Sequence, residues 1–157
     1  MQKKTWPNFS KNLIFKVSKV IKSGKINYTT GPYGKKFEHE FSKYVGNKYS
    51  IAISNGTAAL EVAIKSLNLP KNSEIIVPAR SFFASASCIV NTGYIPVFAD
   101  VDILTQNISL KDLEKKINKK TKAIMLVHGL GNSTNMKKLK IGVFAYNFKV
   151  FKSTNFI

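Results

Sequence analysis

One cysteine, one tryptophan and one arginine stand in 157 residues, and only eight side chains are acidic. The lone thiol, Cys88, excludes an internal disulfide and any cysteine-based metal cluster, and no metal site is expected. Long hydrophobic runs are missing too. Stretches such as Ala123–Val127 fall far short of the ~20 apolar residues that cross a bilayer, so no membrane partner is expected. Residues Met1–Asn12 carry lysines but lead into no apolar stretch with a small-residue cleavage site. A cytoplasmic location is the default expectation.

The scarcity of acid leaves a formal net charge of +17, which resembles a nucleic-acid signature. The kind of base argues otherwise. Arg80 is the single arginine, the remaining cations are lysines scattered along the chain, and arginine is the usual bidentate reader of bases and phosphates. Lysine excess with abundant Ile, Asn and Phe is also what an AT-rich coding sequence produces. A generic basic surface is the expectation, with no nucleic-acid partner.

Hydrophobic spacing gives the elements. Asn12–Lys22 reads as an amphipathic helix with Leu13, Ile14, Val17, Val20 and Ile21 on one face. A turn-rich segment with Gly31-Pro32 follows, and Lys35–Tyr44 reads as a helix that groups Phe37, Phe41 and Tyr44. Strands and helices then alternate: strand Tyr49–Ile53, helix Asn55–Leu67, strand Glu74–Val77, helix Ser81–Asn91, strand Ile95–Ala99, helix Ser109–Ile117, strand Ala123–Val127, helix Asn135–Tyr146 and strand Lys149–Phe151. Such alternation predicts an α/β fold, a three-layer open and mostly parallel sheet, with ligands bound beyond the carboxyl ends of its strands. A helical segment over 1–30 and a sheet-bearing domain over 31–157 are the expected divisions. No acidic residue follows Glu114, and the sequence stops just after its last strand, which reads as a chain cut short.

Four motifs lie at strand ends. Ser54–Leu60 joins a strand to a helix. Gly56 permits close backbone approach, the first helical N–H groups lack intrahelical partners, and Thr57 adds a hydroxyl, which together make a phosphate seat. Capping alone would also account for this turn. Pro78–Ala86 places Phe82 and Phe83 just past a strand, where an aromatic ring can stack on a planar cofactor or simply join the core. Pro96–Asp102 ends in two carboxylates, Asp100 and Asp102, which suit loop and helix-entry roles better than metal binding. Val127–Asn132 holds His128, without an evident acid partner, and Gly129-Leu130-Gly131. That glycine pair resembles the opening of a dinucleotide fingerprint, but Thr134 replaces the third glycine and the acid expected about 20 residues on is missing.

In this order and spacing, the motifs resemble the DegT/DnrJ/EryC1/StrS sugar aminotransferases, fold-type I enzymes that depend on pyridoxal 5′-phosphate (PLP). The landmarks are Gly31-Pro32 through Glu38, Ser54–Leu60, Glu74–Pro78, Arg80-Ser81-Phe82, Pro96–Asp102 with Asn107-Ile108, Thr121–Ile124 leading to His128, and Gly131-Asn132 through Met136. The resemblance implies the first part of a PLP-transferase large domain. It implies amino transfer, usually from glutamate, to a nucleotide-linked keto-sugar for O-antigen or other surface polysaccharides, in enzymes that form homodimers. A PLP-dependent sugar dehydratase and a Rossmann-like nucleotide-binding module are the alternatives. By the same resemblance, Gly56, Thr57 and Ala58 lie at the cofactor phosphate and Phe82 on the pyridine ring.

The family also uses a Glu-Asp pair, just after the strand corresponding to Lys149–Phe151, whose carboxylate keeps the pyridine nitrogen protonated. Lys152-Ser153 stand there instead. The family's Schiff-base lysine falls beyond Ile157, and so does the small C-terminal domain. No catalytic residue is therefore assigned, and the 157-residue chain is expected to be inactive by itself.

Overall fold

Helices begin where a short polar side chain can take the first orphaned amides. In a computed structural model that describes residues 6–136, 139 and 149–153, Ser10 Oγ accepts from Leu13 N (3.2 Å) and opens α1, Lys11–Lys22. Asn55 Oδ1 accepts from Ala58 N (2.9 Å) and opens α3, Gly56–Ser66. Ser109 Oγ accepts from Asp112 N (3.3 Å) and opens α5, Leu110–Lys116. The other helices are α2, Tyr33–Val45, closed by Gly46 in the left-handed region (φ 71°), and α4, Phe83–Asn91. The strands are β1, Glu74–Pro78, β2, Ile95–Ala99, β3, Thr121–Val127, and β4, Lys149–Ser153.

Two compact units result, Met1–Ala52 and Ile53–Ile157. The turn near residue 30, where the sequence suggests a boundary, lies inside the first unit. In that unit Phe37 stacks on Phe41 with centroids 5.6 Å apart, and Tyr44 follows at 6.4 Å from Phe41, the grouping read from their spacing. Glu38 ties the unit together, accepting from Tyr28 Oη (2.9 Å) and from Ala52 N (2.8 Å). Gly34 is required here, because a Cβ would meet the Tyr28 ring at 2.5 Å. The segment Tyr49–Ile53 does not form the expected strand. It runs without a ladder partner among the described residues, Ile51 is 77% exposed, and the Ala52 amide goes to the Glu38 carboxylate instead of a neighbouring strand.

The second unit is a four-stranded parallel sheet in the order β2-β1-β3-β4. Alternation along β1 and β3 sends side chains to two separate cores, as a sheet covered on both faces demands. Ile75, Val77, Ala123 and Met125 face Leu60 and Ile64 of α3 and Ala84, Cys88 and Ile89 of α4. Ile76, Ile124 and Leu126 face the other way, toward Ile108, Leu113 of α5 and Leu139. The expected three-layer α/β architecture is therefore present. The helix expected over Asn135–Tyr146 falls mostly outside the described residues; Met136 and Leu139 within it are helical.

Cys88 is fully buried in the first of these cores. Desolvation, with the negative charge of Glu61 adding to it, pushes its thiol up to about 11. A raised thiol pKa disfavours the reactive thiolate, and two units mean roughly a hundredfold less of it at a given pH. Alkylation of native protein at pH 8.5 is expected to proceed at the rate of unfolding. A native rate equal to that in denaturant would contradict this.

Candidate functional site at the carboxyl edge of the sheet

All four strands run parallel, so Pro78, Ala99, Val127 and Ser153 end at one edge, and the Ala79 amide continues the ladder to Ala99 O (2.8 Å). Helix α3 points its first turn toward that edge. Beyond its other end, Leu67 and Leu69 pack with Tyr94, whose hydroxyl donates to Leu69 O (3.3 Å) just ahead of β2. An 11-residue helix is about 16 Å long, enough to carry Gly56 away from the amino edge.

Gly56, Thr57 and Ala58 form the first turn of α3 and are half-buried. Their amides are not equivalent. Ala58 N already donates to the Asn55 cap, whereas Gly56 N and Thr57 N have no acceptor among the described residues. No acidic side chain occupies the first turn, so the partial positive charge of the helix terminus stands unneutralised. Free donors, an uncompensated dipole and a threonine hydroxyl are features that favour an anion at a helix start.

Phe82 is the cap residue of α4, extended at φ −68° and ψ 143°, four residues past Pro78, the end of β1. Phe82 is 74% exposed, and Phe83, the first helical residue, is 81% exposed. Neither enters the core. Asp100 and Asp102 organise loops, as their position suggests. Asp100 Oδ1 accepts from Val101 N (2.7 Å), and Asp102 Oδ1 accepts from Thr105 N (2.8 Å) and Leu104 N (3.2 Å). The Thr105 amide, and then its hydroxyl, hold the Asp102 carboxyl below the usual carboxylate range. His128 Nδ1 accepts from Thr134 N (3.1 Å), a structural bond. Gly129–Gly131 is a single 3-10 turn and not the glycine loop that opens a nucleotide-binding helix, which removes the Rossmann-like alternative.

Sequence reading used Arg80 and Asn132 as family landmarks but did not foresee their contacts, and it did not single out Gln106. Arg80 Nη1 donates to Gln106 Oε1, and Asn132 Nδ2 donates to Thr105 O (3.0 Å). These contacts span 26 and 27 residues, beyond any local motif.

The match to the DegT/DnrJ/EryC1/StrS aminotransferase family model runs over residues 7–152. The chain belongs to this family. It is 38% identical over 120 residues to the GDP-perosamine synthase of Vibrio cholerae, covering 76% of this chain and 32% of that relative. An aminotransferase structure from Psychrobacter cryohalolentis superposes with a TM-score of 0.89 at 38% identity, over 94% of this chain and 38% of the other. The E. coli GDP-4-keto-6-deoxy-D-mannose-3-dehydratase with bound hydrated PLP gives 0.85 at 29% identity, over 93% and 39%. The chain thus spans about a third of the curated relative's length. Among the described residues, no helix of this family member is long and apolar enough to cross a membrane.

Proposed function

We propose that this chain forms the cofactor-seating part of a PLP-dependent aminotransferase acting on a nucleotide-linked keto-sugar, with glutamate as amino donor. On this reading residues 31–157 belong to one large domain, the assembled enzyme is a homodimer and it works in the cytoplasm. The observation that carries the proposal is the acid-free first turn of α3, with the Gly56 and Thr57 amides unpaired. Those donors and the Thr57 hydroxyl would hold the cofactor phosphate. Donating to a ligand oxygen from Ala58 N as well would require sharing that amide with Asn55. The exposed Phe82 ring would lie against the pyridine and exclude water from one of its faces. When bound, PLP supplies an electron sink for carbanion chemistry at the amino carbon. The family's nitrogen-facing carboxylate corresponds to Ser153, whose backbone pairs with Val127 at the same strand edge. A serine there leaves the pyridine nitrogen without a negative partner. The dehydratase alternative draws on the same seat and on the likeness to the E. coli enzyme.

The test is a titration with pyridoxine 5′-phosphate and with pyridoxine, neither of which can react with a lysine. The phosphorylated compound is expected to bind at least about tenfold more tightly, because charge-assisted bonds to the helix terminus need the phosphate. Phe82→Ala should weaken it by roughly threefold to tenfold, the worth of an aromatic stack, while Phe83→Ala should not. Equal affinity for the two compounds would refute the seat; a loss at Phe83 alone would move the ring contact by one residue.

A further inference from the structure

The loop between β2 and α5 is built more tightly than an exposed connection needs. Asp102 Oδ1 gathers the amides of Leu104 and Thr105 and the Thr105 hydroxyl (3.0 Å). The Asp102 backbone accepts from Gln106 N (2.8 Å) and donates to Asn107 O (2.8 Å). Val101 bridges Ile108 antiparallel, and Ser109 N donates to Asp100 O (2.9 Å). At the tip Gln106 sits in the left-handed region, φ 59°, where a residue with a Cβ is disfavoured. Glycine would fit that backbone better, so the glutamine is held there for its side chain. Both ends of its amide are used. Nε2 donates to Ile103 O (2.6 Å), which leaves Oε1 as the acceptor for the Arg80 guanidinium.

The loop also reaches two other strand ends. Arg80 follows β1, and Asn132, beyond β3, donates to Thr105 O. One loop therefore cross-ties the carboxyl ends of β1, β2 and β3, the edge where open α/β sheets bind their ligands. Between the Ala79 anchor and the α4 cap at Phe82 lie only Arg80 and Ser81. The Phe82 ring itself is largely uncovered, so its direction depends on that short backbone segment.

We infer that Arg80 and Gln106 are positioning residues, a brace that fixes segment 79–82 and so aims Phe82 at a planar, phosphorylated ligand. The ligand part rests on the cofactor reading above; the brace itself does not. The experiment compares Gln106→Gly, Arg80→Ala and Arg80→Lys with the wild-type chain in thermal denaturation, in amide hydrogen exchange over 79–85, and in titration with pyridoxine 5′-phosphate. Gln106→Gly is expected to keep or raise the melting temperature, since it relieves the left-handed strain, while exchange at residues 80–83 accelerates by about tenfold. Binding should weaken about fivefold with it, a split that a purely structural role would not produce. Arg80→Ala should give the same exchange and binding changes, and Arg80→Lys, which keeps a donor, should restore most of both. Unchanged exchange in Gln106→Gly and Arg80→Ala overturns the brace. Accelerated exchange in a protein whose wild type ignores pyridoxine 5′-phosphate supports the brace and sinks the cofactor reading instead.

Discussion

Thr57→Glu is expected to leave the second unit folded, slightly more stable, and about tenfold weaker in binding a phosphorylated pyridine. The two effects have opposite signs because the same field acts on both. The first turn of α3 holds no acid, so a carboxylate placed there would gain about 0.3–1 kcal/mol from the helix terminus. That carboxylate would also occupy the donors that Gly56 and Thr57 leave open, and would face the phosphate as a like charge. Two unit charges 4 Å apart near a protein surface repel by roughly 4 kcal/mol before screening. Even a quarter to a half of that figure, set against tenfold per 1.4 kcal/mol, removes about one order of magnitude in affinity. Calorimetric titration with pyridoxine 5′-phosphate and a thermal melt check the pair of outcomes. Thr57→Ser keeps the hydroxyl and is the control that should bind. Retained affinity in Thr57→Glu would show that the phosphate sits elsewhere.

The parts of this molecule legible in its sequence are those decided by neighbouring residues. Asn55 and Ser109 announce their helices because a cap acts across three positions, and the structure starts α3 and α5 immediately after them. The runs that became β1 and β3 could be read because a strand covered on both faces must be apolar at every step. Tyr49–Ile53 has the same look, yet its backbone found a carboxylate and not a strand, a choice made by Glu38 more than ten residues away. The amphipathic stripe of α1 was legible, but its destination was not: Leu13, Ile14, Val17 and Ile21 are exposed, and a stripe says only that a face is apolar. The Gly56-Thr57 turn and Phe82 were both read as strand-end motifs, but only Phe82 follows a strand in the structure. The tie from Arg80 to Gln106 was not legible, since a left-handed glutamine carries no signature until its partner is in place.

Ile124→Asp should unfold the sheet unit outright, and Lys122→Asp, two residues upstream in β3, should not. Ile124 is fully buried between the strands that flank β3, in register with Ile76 of β1 on one side and Val150 of β4 on the other. Its side chain belongs to the apolar core that also contains Ile108, Leu113, Leu126 and Leu139. The substitution removes a buried isoleucine, which alone costs about 2–5 kcal/mol, and adds the cost of desolvating a carboxylate or of protonating it. The sum is comparable to the whole stability of a domain this size, roughly 5–15 kcal/mol. Lys122 is the one exposed residue of the strand, where such a change stays within about 0.5 kcal/mol. Far-UV circular dichroism in a urea series separates the two: a cooperative transition near that of the wild type is expected for Lys122→Asp, and none for Ile124→Asp at any urea concentration. Ile124→Val, costing about 1 kcal/mol, calibrates the scale between them. A cooperative transition in Ile124→Asp would mean that β3 is not the centre of the sheet.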